Sequence, residues 1–163
     1  MDIRIETGRF EDAAAVRRAV FMDEQGYENE FDSIDEAPSC IHVTLRVDGT
    51  PVGCARTFPE PLERADAPDL PKSRRSAWDE GLDEDDIYIL GRVAVLDAWR
   101  HHGLASRVIA AAEQAARDAG AKLMKLHAQE YVTNLYASLG YTQIAPVDYE
   151  DEGQPHAWMA KPL

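Results

Sequence analysis

Apolar residues recur along the chain in two rhythms. Asp2-Ile3-Arg4-Ile5-Glu6 alternates and reads as a strand. From Phe10 to about Asp23, Phe10, Ala13, Ala14, Val16, Val20 and Phe21 fall at helical spacing, and Gly26 ends or bends that helix. Tyr27 to Pro38 is acidic and irregular, with room for a short helix. Cys40–Val47 and Val52–Phe58 flank Asp48-Gly49, a turn pair that makes them a hairpin. Tyr88–Val95 is a nearly continuous apolar run, the pattern of a buried strand. Leu104, Val108, Ile109, Ala112, Ala115, Ala116 and Ala119 share one face of a helix over 104–119 that Gly120 stops. A strand over Leu123–Ala128 follows, then a short helix over Val132–Leu139 ending at Gly140. Thr142–Val147 and His156–Lys161 close the chain as two strands around an acidic turn. The order is that of one α/β domain (α+β in some schemes) over residues 1–163. It implies a mixed twisted sheet of about six to seven strands flanked by helices.

Residues 60–86 break the rhythm. The stretch holds Pro61, Pro68 and Pro71, then Arg74-Arg75, Trp78 and the acidic run Asp83–Asp86, with a short helix expected around Ser73–Glu80. A loop of this length is either a tolerated surface insertion or a lid over a substrate.

Composition narrows the class. With 163 residues and 45% hydrophobic content the chain can bury a core. No apolar run approaches the roughly 20 residues of a membrane helix. MDIRIETGRF lacks the basic-then-apolar order of a secretion signal. Cys40 and Cys54 fit no metal spacing and read as free thiols, so a cytoplasmic protein is expected. The net charge of -13 argues against nucleic acid and anionic membranes as partners and favours cationic ones. Residues 99–126 run against that field, with 5 Lys+Arg and 2 Asp+Glu.

That basic segment opens with Trp99-Arg-His-His-Gly-Leu-Ala-Ser106, where the buried strand hands over to the long helix. The first N–H groups of a helix lack internal partners and its dipole makes that end positive. Gly103 and Ala105 keep side-chain bulk away, while Arg100 and Arg107 add charge, so the junction suits a phosphate or pyrophosphate. It is also what a plain connector with solvated charges looks like. The spacings of a P-loop and of a dinucleotide-binding G-x-G-x-x-G turn are both missing.

The Arg-x-x-Gly-x-Ala pattern of 100–105 behind Val93-Ala-Val95 resembles the acetyl-CoA pyrophosphate loop of the GNAT superfamily of N-acetyltransferases. Asn134-Leu-Tyr-Ala-Ser-Leu-Gly-Tyr141 is similar to that family's "LYxxxGF" segment. Arg18–Gln25, Leu126–Tyr131 and Asp151–Met159 resemble three segments of its small bacterial ElaA-like subgroup. The resemblance spans nearly the whole chain apart from 60–86.

The resemblance implies a GNAT fold with two splayed central parallel strands, here 88–95 and 123–128, and acetyl-CoA between them. The backbone of Val93, Ala94 and Val95 would pair with the pantetheine arm. An N–H of that strand would polarise the thioester carbonyl. Arg100, His101, His102, Gly103, Leu104, Ala105 and Ser106 would surround the pyrophosphate, with Gln129 and Asn134 as further contacts. Gln129 stands where many members have asparagine, and Asn134 where the subgroup commonly has proline. Tyr136 matches a tyrosine that protonates the leaving thiolate, although a packed ring bonded to backbone is the plainer alternative.

The acetyl group would pass directly to an amine, without a covalent enzyme intermediate and without a metal. Within the acidic stretch after the first helix, Glu24 and then Glu30 are the candidate bases, although solvated carboxylates are common there. His42, His127 and His156 begin or end strands; one of them is a candidate to line the acceptor pocket or relay a proton, with a satisfied structural histidine as the plainer alternative for each, and a zinc site has no recognisable spacing.

The expected function is therefore acetyl-CoA-dependent N-acetylation of a small-molecule or protein amine. The acidic field favours polycations such as polyamines or aminoglycosides and disfavours tRNA. The alternative is a non-catalytic acyl-CoA-binding regulatory module of the same fold. Edge-strand pairing into a homodimer is compatible with either.

Overall fold

The computed structural model describes residues 1–28, 30–65 and 71–163. The chain runs β1 (Ile3–Thr7), α1 (Phe10–Arg17), β2 (Ile41–Val47), β3 (Thr50–Pro59), α2 (Leu62–Ala65), β4 (Ile87–Val95), α3 (Leu104–Asp118), β5 (Leu123–Gln129), α4 (Thr133–Ser138), β6 (Thr142–Gln143), β7 (Asp148–Asp151) and β8 (Gln154–Pro162). The sheet has eight strands rather than six to seven, in the order β1-β2-β3-β4-β5-β8-β6, with β7 on β8. Only β4 and β5 are parallel; the other pairings are antiparallel. No helix among the described residues is long and apolar enough to cross a membrane.

Two helical layers explain why β4 is apolar on both faces. On one side α3 buries Leu104, Val108, Ile109, Ala112 and Ala116 against β2, β3 and β4. On the other, α1 sets Ala13 and Val16, and the turn after it Val20, against Cys54 and Ala94. The alanines bring that helix close to the sheet. The helix expected to reach Asp23 changes pitch instead: Arg18–Glu24 is π-helical, with the Gln25 N–H donating to the Val20 carbonyl at 3.0 Å. A widened helix of this kind re-aims the residues that follow it.

Two other expectations are corrected. The strand expected over Thr142–Val147 is only Thr142–Gln143; the Ile144 N–H adds one last bond, to the Trp158 carbonyl at 2.9 Å, before the chain leaves the ladder at Ala145-Pro146. The pairing passes to β7, which turns into β8 through Glu152 (φ 54°) and Gly153 (φ 69°), the left-handed pair of a tight hairpin. The helix expected over Ser73–Glu80 is a single 3-10 turn, Ala77–Asp79, capped by the Ser76 hydroxyl accepting from the Trp78 N–H at 3.2 Å. That turn is anchored from beneath by Lys125, 1% exposed, whose ammonium donates to Asp79 at 2.6 Å and to the Arg74 carbonyl at 2.9 Å, with Glu60 at 3.3 Å. Residues 66–70 of the 60–86 insertion lie outside the described residues.

Candidate active site

The parallel ladder between β4 and β5 is short. Ile87–Leu90 pairs with Leu123–Leu126, and there it ends. Beyond that point β4 stays on β3, with Ala94 opposite Cys54 and Val95 opposite Gly53, while β5 stays on β8 through Gln129. The two strands therefore part like a fork. The edge of β4 facing β5 carries no ladder from Gly91 to Val95. A bulge opposite Cys54–Arg56 accompanies the fork, and Arg92 within it is left-handed (φ 53°), a conformation a side-chain-bearing residue seldom adopts. A cavity of about 980 Å³ fills the opening.

At the C-terminal end of β4 the fork meets the N-terminus of α3. That end has no side-chain cap and no acidic residue in its first turn. Its N–H groups are the kind that an anion satisfies. Gly103 owes its place to conformation: φ is +74°, while a Cβ there would meet nothing within 4 Å. His101 is also left-handed (φ 65°), so the loop turns sharply twice before the helix starts.

Most of the residues expected at the cofactor site come together around this cavity. Val93, Ala94, Val95, Arg100, His101, Gly103, Leu104, Ala105, Ser106 and Gln129 line it, together with Tyr136. His102 and Asn134 do not; both are exposed. Tyr136 is buried, packs edge-on against Tyr141 at 5.7 Å, and burial pushes its phenol above the usual range. Its hydroxyl has no hydrogen-bond partner among the described residues. Tyr141, by contrast, donates to buried Glu113 at 2.7 Å, and Lys161 closes that pair at 3.0 Å.

The two carboxylates expected as bases are both committed to arginines. Glu24 holds Arg100 in a bidentate pair at 2.6 and 2.7 Å, and that bond keeps its carboxyl below the usual range. Glu30 is 2% exposed and joins Arg17 at 3.0 Å and Arg92 at 2.9 Å. Burial raises its pKa against the pull of both guanidinium groups. The same network takes in Asp35, bonded to Arg17 at 2.6 Å and Arg56 at 2.8 Å, and Asp32, bonded to Arg56 at 2.7 Å. Burial alone would raise Asp35, but its arginine bonds outweigh that and hold it at about 2. Paired buried charges of this kind fix the 30–35 segment onto the sheet.

Arg56, Glu63 and Arg92 are cavity residues that the sequence did not single out. Gln129 donates to Gln25 at 2.9 Å and to the Tyr27 hydroxyl at 2.8 Å, so the chain after the π-helix spans the fork from Arg100 to β5. Arg56 and Arg92 line the cavity, as do the acidic residues Glu63, Glu150, Asp151 and Glu152. His127, His156 and Trp158 form a stack on one wall, each ring centroid 4.7 Å from His127. Among the described residues no group of three or more His, Cys, Asp or Glu side chains is placed to hold a metal ion.

The mixed sheet is forked between its two parallel strands, and an uncapped helix N-terminus stands at the mouth of the fork. The pattern of the Acetyltransferase (GNAT) family matches residues 9–141, and the chain belongs to that family. It is 28% identical over 155 residues to the uncharacterized N-acetyltransferase YjcF of Bacillus subtilis (strain 168), covering 94% of this chain and 92% of that one. Among solved structures, ElaA of Escherichia coli superposes with a TM-score of 0.73 at 21% identity, covering 98% of this chain and 99% of that one. N-acetylglutamate synthase from Neisseria gonorrhoeae, complexed with coenzyme A and N-acetyl-glutamate, superposes with a TM-score of 0.66 at 17% identity over 100% of this chain and 35% of that one.

Proposed function

We propose that the protein transfers the acetyl group of acetyl-CoA directly to a primary amine, and that the acceptor is cationic. One observation carries this reading: the unpaired edge of β4 and the uncapped N-terminus of α3 line one and the same cavity. In this reading the amide groups of pantetheine continue the ladder that β5 abandons, along Val93–Val95. The pyrophosphate takes the N–H groups at Gly103–Ser106. Arg100 exchanges Glu24 for a phosphate, so Glu24 serves as a clamp that holds the arginine ready. The coenzyme A bound in the Neisseria structure supports an acyl-CoA as donor.

Tyr136 is the proposed acid. Its phenol stays protonated at neutral pH, and its hydroxyl has no hydrogen-bond partner among the described residues, as a donor to a departing thiolate must be. The acceptor enters from the wall of Glu63, Glu150, Asp151 and Glu152, whose charges draw in an ammonium.

The test is mass spectrometry of reactions containing acetyl-CoA and spermidine, propane-1,3-diamine or a lysine peptide. The expected result is one N-acetylated amine for each CoA released, with the diamines preferred to neutral amines. Tight acetyl-CoA binding with no acetylated product from any amine would favour the non-catalytic module instead.

A further inference from the structure

An ammonium cannot attack a thioester until it has lost a proton. With Glu24 and Glu30 both held by arginines, the proton acceptor must be sought elsewhere in the cavity. His127 is the first residue of β5 beyond the last parallel pair, Leu90–Leu126, so it stands at the apex of the fork. It lines the cavity on the face away from α3, the face that also carries His156 and Trp158. Its Nε2 lies 3.0 Å from both carboxylate oxygens of Asp148. A nitrogen between two carboxylate oxygens carries the hydrogen, which leaves Nδ1 as a bare acceptor. Nδ1 has no hydrogen-bond partner among the described residues.

We propose that His127 is the catalytic base of the transfer, with Asp148 as the positioning residue that fixes its tautomer and orientation. This rests on the acyl-transfer reading above and assigns it the group that reading leaves open. The arrangement has the logic of a nucleophile-activating dyad, in which a carboxylate orients an imidazole and stabilises its charged form. Nδ1 takes one proton from the ammonium and passes it to solvent. The neutral amine attacks the thioester carbon, forming the C–N bond, and the oxygen becomes an oxyanion. As the carbonyl reforms, the C–S bond breaks, the thiolate takes the Tyr136 hydroxyl proton, and the nitrogen gives up one of its two protons to restore Tyr136. One proton is released per amide formed.

The surroundings favour a neutral imidazole. Burial holds His127 below the usual histidine range, and the Asp148 bond opposes that only in part. The groups facing it are Asp148 and Asp151 of β7 and His156 of β8. The Nδ1 of His156 is itself occupied by the Gln154 carbonyl at 2.8 Å. Across the cavity stand Glu30 and Asp32, each already paired with an arginine. Lys125, two positions back on the same strand, is spent on Asp79.

Two variants and two readouts test this. His127→Gln removes the base, and Asp148→Asn keeps the ring but loosens its orientation. Titration calorimetry with acetyl-CoA and a thermal melt check that each variant folds and binds. With spermidine as acceptor, wild-type kcat/KM is expected to fall on the acid side with a midpoint below the usual histidine range. His127→Gln should lower kcat by roughly 10²-fold or more and abolish that limb, with acetyl-CoA affinity unchanged. Asp148→Asn should lower kcat less and shift the limb. Hydrazine, largely unprotonated at pH 8.5, should recover much of the His127→Gln loss, which a purely structural role would not allow.

If wild type acetylates spermidine and His127→Gln does so equally, with the limb intact, the assignment is overturned while the acyl-transfer reading stands. If wild type acetylates nothing, that reading fails first. The assignment falls with it; where transfer does occur, ¹⁵N-histidine NMR of the wild type, with the His127 signal identified by its loss in His127→Gln, is a second and independent check. A hydrogen on Nε2 and a bare Nδ1 support it; a hydrogen on Nδ1 overturns it.

Discussion

Tyr136 combines three properties in one side chain: a buried ring, a raised phenol and a hydroxyl that no described protein group engages. Removing the hydroxyl keeps the ring and its contact with Tyr141. Tyr136→Phe is therefore expected to lower kcat by roughly 10²-fold while leaving acetyl-CoA affinity within about twofold. Steady-state kinetics beside calorimetry checks it, and equal small losses in both would give Tyr136 a packing role. At this scale the sequence was informative where function is written in the backbone and in neighbouring residues. Arg100 to Ser106 are one contiguous stretch across the start of α3, and most of it lines the cavity. Pairings across long separations were not legible. The partners of Glu24 and His127 lie 76 and 21 positions away, and nothing in either segment announces them. Two carboxylates that read as free bases in one dimension are arginine ligands in three.

Elements behave differently. The amphipathic face of α3 and the apolar run of β4 were plain from periodicity, because burial on one face or two writes itself into the residue pattern. The short β7 strand and the π-helical continuation of α1 were not, since each depends on local hydrogen bonding that apolar spacing does not record. Within the 60–86 insertion one buried residue anchors a local turn. Lys125 sits on a central strand, where an unpaired ammonium would be costly, and the 3-10 turn at Ala77–Asp79 supplies its partner. Lys125→Ala leaves Asp79 buried without that partner. It should destabilise the fold by roughly 3 kcal/mol or more, read as a lowered denaturant midpoint. A loss below about 1 kcal/mol would mean that the turn is not held from beneath.

For the molecule as a whole, the fork between β4 and β5 is the feature from which everything else follows. It frees a strand edge, opens a cavity of about 980 Å³ and sets His127 at its apex with Tyr136 on its wall. The chain carries a net charge of -13, while Arg100 stands beside the N-terminus of α3 at the cavity, a division suited to holding an anionic cofactor while attracting a cationic acceptor. Hydrogen–deuterium exchange with and without acetyl-CoA tests this account most directly, because it reports on the very amides said to hold the cofactor. Protection is expected at Val93–Val95 and at Gly103–Ser106, with β1 and β2 unchanged. Binding of acetyl-CoA that protects neither segment would contradict it.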